Sequence, residues 1–286
     1  FITCIGFYIL HYITYSNIFE NYIVSKLRGI NMLKENNYLN AWNKKLVRKN
    51  LENIHVPESI IEAYNLQADY QTNSKYDLLG WKIAATSIEG QKHIGVDGPI
   101  AGRLIKERLY KSGDMLSLVN NQMKKVEAEF SFKLNKDMAK KNISYTYDEV
   151  LECIESICPA IEIPDSRFLN FDKIGKKILI ADNACAGEYI IGKTPTKSWK
   201  HINLKKFKVG CYKNNQLIGY GIGSNVLEDP IKALTWLINE LNKYDIILYS
   251  GQTILTGTCI KPITVAEGDY IVMDFYELGK VDCYFS

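Results

Sequence analysis

No CxxC pair occurs in this sequence, and its seven cysteines are an odd number scattered singly along the chain. That disfavours a disulfide framework and a structural zinc site, and a reducing, cytoplasmic setting is the expectation. Cys153 and Cys158 fall five apart, which is not a zinc-ligand spacing. GxGxxG is missing as well: "GYGIGS" is too close-set and opens no helix directly, so no dinucleotide site is expected. No dense basic run is present and the formal net charge is only +3, which leaves nucleic acid without an electrostatic footprint. Cys185 has no evident histidine partner, so it reads as a small packing residue rather than a nucleophile. Internal repeats and low-complexity tracts are also lacking.

One long apolar run exists. Residues 1–19, "FITCIGFYILHYITYSNIF", carry no formal charge with His11 neutral, which suits a signal anchor or a membrane span of marginal length. Against that, the chain starts at Phe, and Met32 stands just ahead of "MLKENNYLNAWNKKLVRKN", a soluble amphipathic segment. Residues 1–31 are therefore set aside as an apolar extension, and membrane association is expected only if residues 1–19 are a real anchor.

What remains is ordinary globular sequence. The 286 residues are 47% hydrophobic and 23% charged, enough for one sizeable core with an N-terminal appendage. Apolar spacing predicts a helix over 31–50, and another near "VPESIIEAYNLQADY" with Pro57 in its first turn. "YDLLGWKIAATS" is strand-like, and "IEGQKHIGVDGPIAGRLIKERL" reads as loop-rich. Helical spacing over Val150, Leu151, Ile154 and Ile157 ends at Pro159, and "AIEIPDSRF" follows as a short strand into a turn. "KKILIADNACAGEYIIG" reads as strand, polar knot, strand, and "FKVGCYKNNQLIGYGIGS" as a hairpin. Asp229 caps a helix with Pro230 at its first position, and short strands from "IILYS" onward close the chain. Helices first and strands after argue an α+β fold, divided as a 32–76 helical segment and a 77–286 β-rich catalytic domain.

The chemistry-bearing stretch is "KKVEAEFSFKL". Val126, Ala128, Phe130, Phe132 and Leu134 alternate with Glu127, Glu129, Ser131 and Lys133. Along a strand, residues i and i+2 share a face roughly 6.5–7 Å apart, so the two glutamates can lean toward one point. Either that face is in water, or the carboxylates hold something positive. Glu162 adds a third carboxylate within the apolar "AIEIP". Three oxygen donors of this kind suit Mg²⁺ or Mn²⁺. Lys82, among Trp81, Ile83, Ala84 and Ala85, either sheds its proton or needs an anion, unless its stem alone is buried and its amine reaches water. Asp182 and Asn183 in "ADNACAG" form an Asx-type turn or order water; Thr256, Gly257 and Thr258 bend a strand or cradle a carboxylate. His93 is a surface histidine or an acid–base group.

In order along the chain, "EAYNLQ", "GWKIAATS", "IGVDGPIAGRL", "VEAEFSF", "PAIEIPDSR", "ADNACAG", "NVLEDPIKALTWLINEL", "ILTGT" and "GDYIVMDFYELGKVDCYF" resemble one family. It is the 2-keto-4-pentenoate hydratase group of the fumarylacetoacetate hydrolase superfamily, with 2-oxohept-4-ene-1,7-dioate hydratase and 4-oxalocrotonate decarboxylase. The likeness covers roughly residues 55 to 286. It implies a mixed β-roll with N-terminal helices, and Mg²⁺ or Mn²⁺ on Glu127, Glu129 and Glu162. It also implies an active-site lysine at Lys82, substrate contacts from Asp182, Asn183, Cys185, Thr256, Gly257 and Thr258, and a homo-oligomer.

The implied reaction is hydration of a small 2-hydroxy-dienoic acid, or decarboxylation of a 3-carboxylated 2-oxo acid, through a metal-stabilised enolate. An acylpyruvate-type C–C hydrolase, a keto–enol tautomerase, or a weakened homologue acting as a binding subunit are the alternatives. The chain departs from the family where Ile100 and Ala101 replace an acidic and an aromatic residue, and where Cys185 replaces serine. Asp97 and His93 are the remaining candidates for the missing proton carrier.

Overall fold

The computed structural model describes residues 38–286 apart from residues 53 and 197. The apolar stretch 1–19 and the first part of the expected 31–50 helix lie outside the described residues. Within them, the helix covers only Tyr38–Asn43 (α1). Beyond it the chain turns, and Arg48 N donates to Arg167 O at 2.7 Å. Leu46 and Val47, expected on the apolar face, are 50% and 45% exposed.

Helix Ile60–Gln67 (α2) starts at Ser59, whose hydroxyl accepts from Glu62 N, so Pro57 precedes the helix rather than entering it. A single turn, Asp69–Thr72 (α3), leads to strand β1, Gly80–Ala84. The segment read as loop-rich holds a helix, Ile88–Ile94 (α4), and a strand, Ile100–Leu104 (β2). Its end signals are local: Ser87 caps the N-terminus, and Gly95 at φ 70° closes the C-terminus. After β3 (Leu109–Tyr110) and β4 (Met115–Leu116), β5 runs over Lys125–Leu134 as the alternation requires, with its apolar face fully buried.

Two readings of short apolar runs are corrected. The helix after Thr146 is only Tyr147–Glu152 (α5), closed by a Thr146–Glu149 capping box. Ile154 and Ile157 then belong to strand β6, Ile154–Ile163, which passes through Pro159. Pro159 is tolerated because the ladder to β7 (Glu188–Ile191) begins only at Ala160. "KKILIA" is a helix, Lys176–Ala181 (α6), where a strand is expected; a continuous apolar run of that length does not distinguish the two by period.

The hairpin forms as β8 (Lys208–Lys213) and β9 (Gln216–Ile222) around Asn214 and Asn215, both at positive φ. Helix α7, Pro230–Asn242, is capped by Asp229 and buries Ile231, Leu234, Leu237, Ile238 and Leu241. Strands β10 (Thr253–Thr258), β11 (Ile263–Thr264), β12 (Tyr270–Asp274) and β13 (Lys280–Phe285) follow, while "IILYS" contributes only an isolated bridge at Leu248.

One sheet runs β2-β1-β10-β5-β6-β7-β3, with β11 beside β5; the other runs β4-β13-β12-β8-β9. Both are mixed: β1 is parallel to β10, β3 to β7 and β4 to β13. Tyr38, Tyr64 and Tyr70 from the N-terminal helices join the same continuous core as Phe130, Phe132 and Phe275. No helix among the described residues is long and apolar enough to cross a membrane.

Candidate active site

β5 lies between β10 and β6, and its polar face is covered rather than wet. Glu129 and Ser131 are buried and Glu127 is half-buried; only Lys133 is exposed. Antiparallel register sets Glu127 directly opposite Glu162. Glu127, Glu129 and Glu162 each place a carboxylate oxygen so that all three lie within 4.8 Å of one another. Lys82 reaches over β10 and β5 from β1, and its Nζ stands 3.0 Å from Glu162 Oε1.

Three acids and one lysine leave the cluster short of positive charge. Burial pushes Glu127 up to about 7, and the charge of Glu162 adds to it while Lys82 opposes. Glu127 keeps some exposure, yet its carboxyl end lies among these buried groups. Glu129 is held well above the usual carboxylate range by burial first and then by Glu162 and Glu127. For Lys82 burial works against the charge, but the three carboxylates together outweigh it and raise the ammonium above its ordinary value. The deprotonated form allowed by the sequence is therefore not favoured: the anion beside Lys82 keeps it cationic.

Glu129 Oε2 accepts from Gly257 N at 2.7 Å, whereas Glu129 Oε1 and Glu162 Oε2 are buried without a hydrogen-bond partner. Buried, unpaired carboxylate oxygens are costly. A hard divalent ion would satisfy both, and the all-oxygen donor set suits Mg²⁺ chemistry.

The loop after α6 orients Lys82. Asn183, Ala184 and Cys185 take φ values of 65°, 52° and 59°, three left-handed residues in succession, at a cost of roughly 1–2 kcal/mol each. That geometry aims Ala184 O at Lys82 Nζ, 3.1 Å away. The Asn183 side chain pays for it by clasping the Arg103 backbone, accepting from N at 2.6 Å and donating to O at 2.9 Å. Gly102 permits the approach, since a Cβ there would lie 2.4 Å from Asn183 O.

Asp182 is fully buried and accepts from Trp42 Nε1 at 3.0 Å, Ser166 Oγ at 2.5 Å and Arg167 N at 3.2 Å. Burial lifts it to about 6 against those bonds. The Trp42 ring carries Arg108 at 4.2 Å and Arg167 at 4.7 Å from its centroid. Trp42, Arg108, Arg167 and Gln67 were not singled out from sequence. The only signal was a tryptophan in a polar helix, since its partner lies 140 residues away.

The expected substrate contacts are mostly engaged by protein. Asp182 and Asn183 are used as above, and Thr256 Oγ1 donates to Phe130 O at 3.0 Å. Gly257 N serves Glu129, and Thr258 Oγ1 donates to Ile260 O at 2.9 Å. Cys185 lies within the electrostatic reach of Lys82 and the carboxylates, and burial pushes its thiol up to about 12, leaving it neutral. Asp97 and His93 do not join the cluster: exposed Asp97 pairs with Lys176 at 3.0 Å, and exposed His93 packs edge-on against Phe171. Ile100 and Ala101 are buried in β2.

A mixed-sheet fold enclosing three acids and a paired lysine defines an enzyme-type centre of carboxylates with one buried ammonium. No protein-family model matches the chain. The TodF product hydratase of Pseudomonas putida is 32% identical over 209 residues, 73% of this chain and 76% of that protein. The 2-hydroxyhexa-2,4-dienoate hydratase of Comamonas testosteroni is 32% identical over 211 residues, 73% of this chain and 78% of its own. The solved 4-oxalocrotonate decarboxylase of Pseudomonas putida G7, complexed with magnesium and adipate, superposes with a TM-score of 0.79 at 25% identity. That match covers 91% of this chain and 98% of the other. The chain belongs to the 2-keto-4-pentenoate hydratase and 4-oxalocrotonate decarboxylase group, and it shares the fold of solved fumarylacetoacetate hydrolase family proteins.

Proposed function

We propose that this protein is a divalent-metal-dependent hydro-lyase that adds water to a small 2-hydroxy-dienoic acid. The observation that carries the reading is the buried set Glu127, Glu129, Glu162 and Lys82, with two carboxylate oxygens left unpaired. Relatives named as hydratases favour hydration. Decarboxylation of a 3-carboxylated 2-oxo acid is the second reading, favoured by the likeness to the decarboxylase.

Glu127, Glu129 and Glu162 would hold Mg²⁺, or Mn²⁺ in its place. A bound ion supplies Lewis-acid stabilisation for negative charge developing at a 2-oxo group. The protein's own residues do the rest. Hydration puts the water oxygen on C4 and a proton on C5, while the 2-hydroxyl gives up its proton and C3 gains one, which turns the enol into the 2-oxo group. Lys82 Nζ carries the proton available inside the closed site, positioned by Ala184 O and Glu162. Gly257 N holds Glu129. Asp182, Asn183 and Thr256 act by fixing the surrounding loops, and Cys185 and Thr258 supply the wall nearest the substrate. Residues 77–286 form the catalytic unit, with the described part of the 32–76 segment as its brace; a homo-oligomer and a cytoplasmic setting belong to the same reading.

The test is product analysis. With Mg²⁺ and 2-hydroxypenta-2,4-dienoate, the expected product is heavier by one water, and Lys82→Met slows its formation at least ~100-fold. Release of CO₂ from a 3-carboxylated 2-oxo acid, without hydration, would move the assignment to the second reading. Turnover of neither substrate by folded, metal-loaded protein would overturn both.

A further inference from the structure

A groove of about 1030 Å³ opens away from the carboxylate cluster, lined among others by Lys75, Asp77, Trp81, Arg103, Lys106 and Tyr249. Trp81 and Arg103 face each other across β1 and β2, and Trp81 alternates with Lys82, so the groove and the acid cluster lie on opposite faces of the sheet.

Arg103 is the unusual lining residue. It is 5% exposed, yet among the described residues no carboxylate forms an ion pair with it. Its neighbours are neutral. Nη1 donates to Gln67 Oε1 at 2.5 Å and to Tyr64 O at 3.4 Å, and Nε donates to Gln71 Oε1 at 3.4 Å. Gln67 is itself locked, donating to Ala101 O at 2.9 Å and Ile180 O at 2.7 Å, so its oxygen can only face the guanidinium. The guanidinium lies 4.6 Å from the Trp81 ring centroid. Among the described residues Nη2 makes no protein hydrogen bond, and Trp81 Nε1 is buried without a partner. A structural arginine this buried is ordinarily neutralised. Among the described residues this one is stacked, oriented and left without a counter-charge beside open space. Burial accordingly pushes it down to about 10. At the mouth stand exposed Lys75 and Lys106 with Asp77, and Glu107 lies beside Lys75, accepting from its N at 2.8 Å.

We propose that this groove is a second binding site, for a small organic carboxylate, with Arg103 Nη2 as its donor beside the Trp81 ring and Lys75 and Lys106 at its mouth. A carboxylate oxygen can accept from the remaining Nη2 and supplies a counter-charge in a site of low dielectric. The inference does not depend on the hydratase reading, because it involves neither the metal ligands nor a dienoate.

The experiment is calorimetric titration of succinate into the metal-free full chain, in parallel with Arg103→Met and with the double variant Lys75→Ala/Lys106→Ala. Metal-independent binding is expected, weakened about tenfold or more by Arg103→Met. The double variant alters only the mouth and should bind about threefold more weakly with an unchanged melting temperature. If Arg103→Met does not fold, the double variant decides: weaker binding supports the site, and unchanged binding overturns it. Absence of succinate binding to the intact chain, or equal binding by a folded Arg103→Met, also overturns it. Failure of hydration in the product assay leaves this result unaffected.

Discussion

Lys82 Nζ and Glu162 Oε1 stand 3.0 Å apart, with side chains 2% and 0% exposed. Such a pair is better described by what its loss exposes than by its own attraction. Removing one partner strands the other in a medium that cannot solvate it.

Lys82→Met should therefore destabilise the metal-free protein by about 3–5 kcal/mol at neutral pH, because buried Glu162 loses the ammonium paired with it. Lys82→Met combined with Glu162→Gln should cost less than the two single changes added together, since it removes a charge of each sign. Urea unfolding of the three variants measures both. Additive losses would mean that the ion pair is not coupled as the 3.0 Å contact requires.

Metal-free protein should lose stability as pH rises. Glu127 moves from an ordinary 4.5 to about 7 on folding, and Asp182 from 3.8 to about 6. A carboxyl whose folded value is raised holds its proton longer in the native state. Its contribution is fully present below the unfolded value and is lost as pH climbs through the folded one. The window runs from about pH 4 to about pH 7, and a melting temperature lower by several degrees at pH 8 than at pH 5 is expected. Saturating Mg²⁺ should reverse the trend, because the ion binds the deprotonated acids. Calorimetric melts at both pH values, with and without Mg²⁺, decide it; a rising metal-free profile would contradict the raised carboxyls.

Trp42→Phe keeps a ring against Arg108 and Arg167 but deletes the N–H that Asp182 accepts. The expected cost is about 1–3 kcal/mol, the range for stranding a buried acceptor. Trp42→Leu should cost about 0.5–1 kcal/mol more, through loss of the cation–π contacts. Denaturant unfolding separates the two variants. Equal stability of Trp42→Phe and the parent would show that Ser166 and Arg167 alone satisfy Asp182.

Much of this molecule was legible one residue at a time. Alternation in β5 marked its buried and polar faces because a strand has a period of two, whatever surrounds it. Asp229 and Pro230 announced helix α7 because capping is local chemistry. The three glutamates and Lys82 stood out because charged residues are rare in apolar runs.

Tertiary structure decided the rest. "KKILIA" became a helix and the run from Ile154 a strand because each short apolar run buries its surface either way, and only its neighbours choose. Glu162 meets Glu127 through antiparallel register, which no spacing along the chain encodes. Lys82 keeps its proton because charges from two other strands outweigh its burial. Trp42 finds Asp182 across 140 residues. The sequence by itself determined which side chains carry charge and which faces are apolar; folding determined which charges share one unsolvated space, and at distances of a few ångströms that proximity sets their protonation.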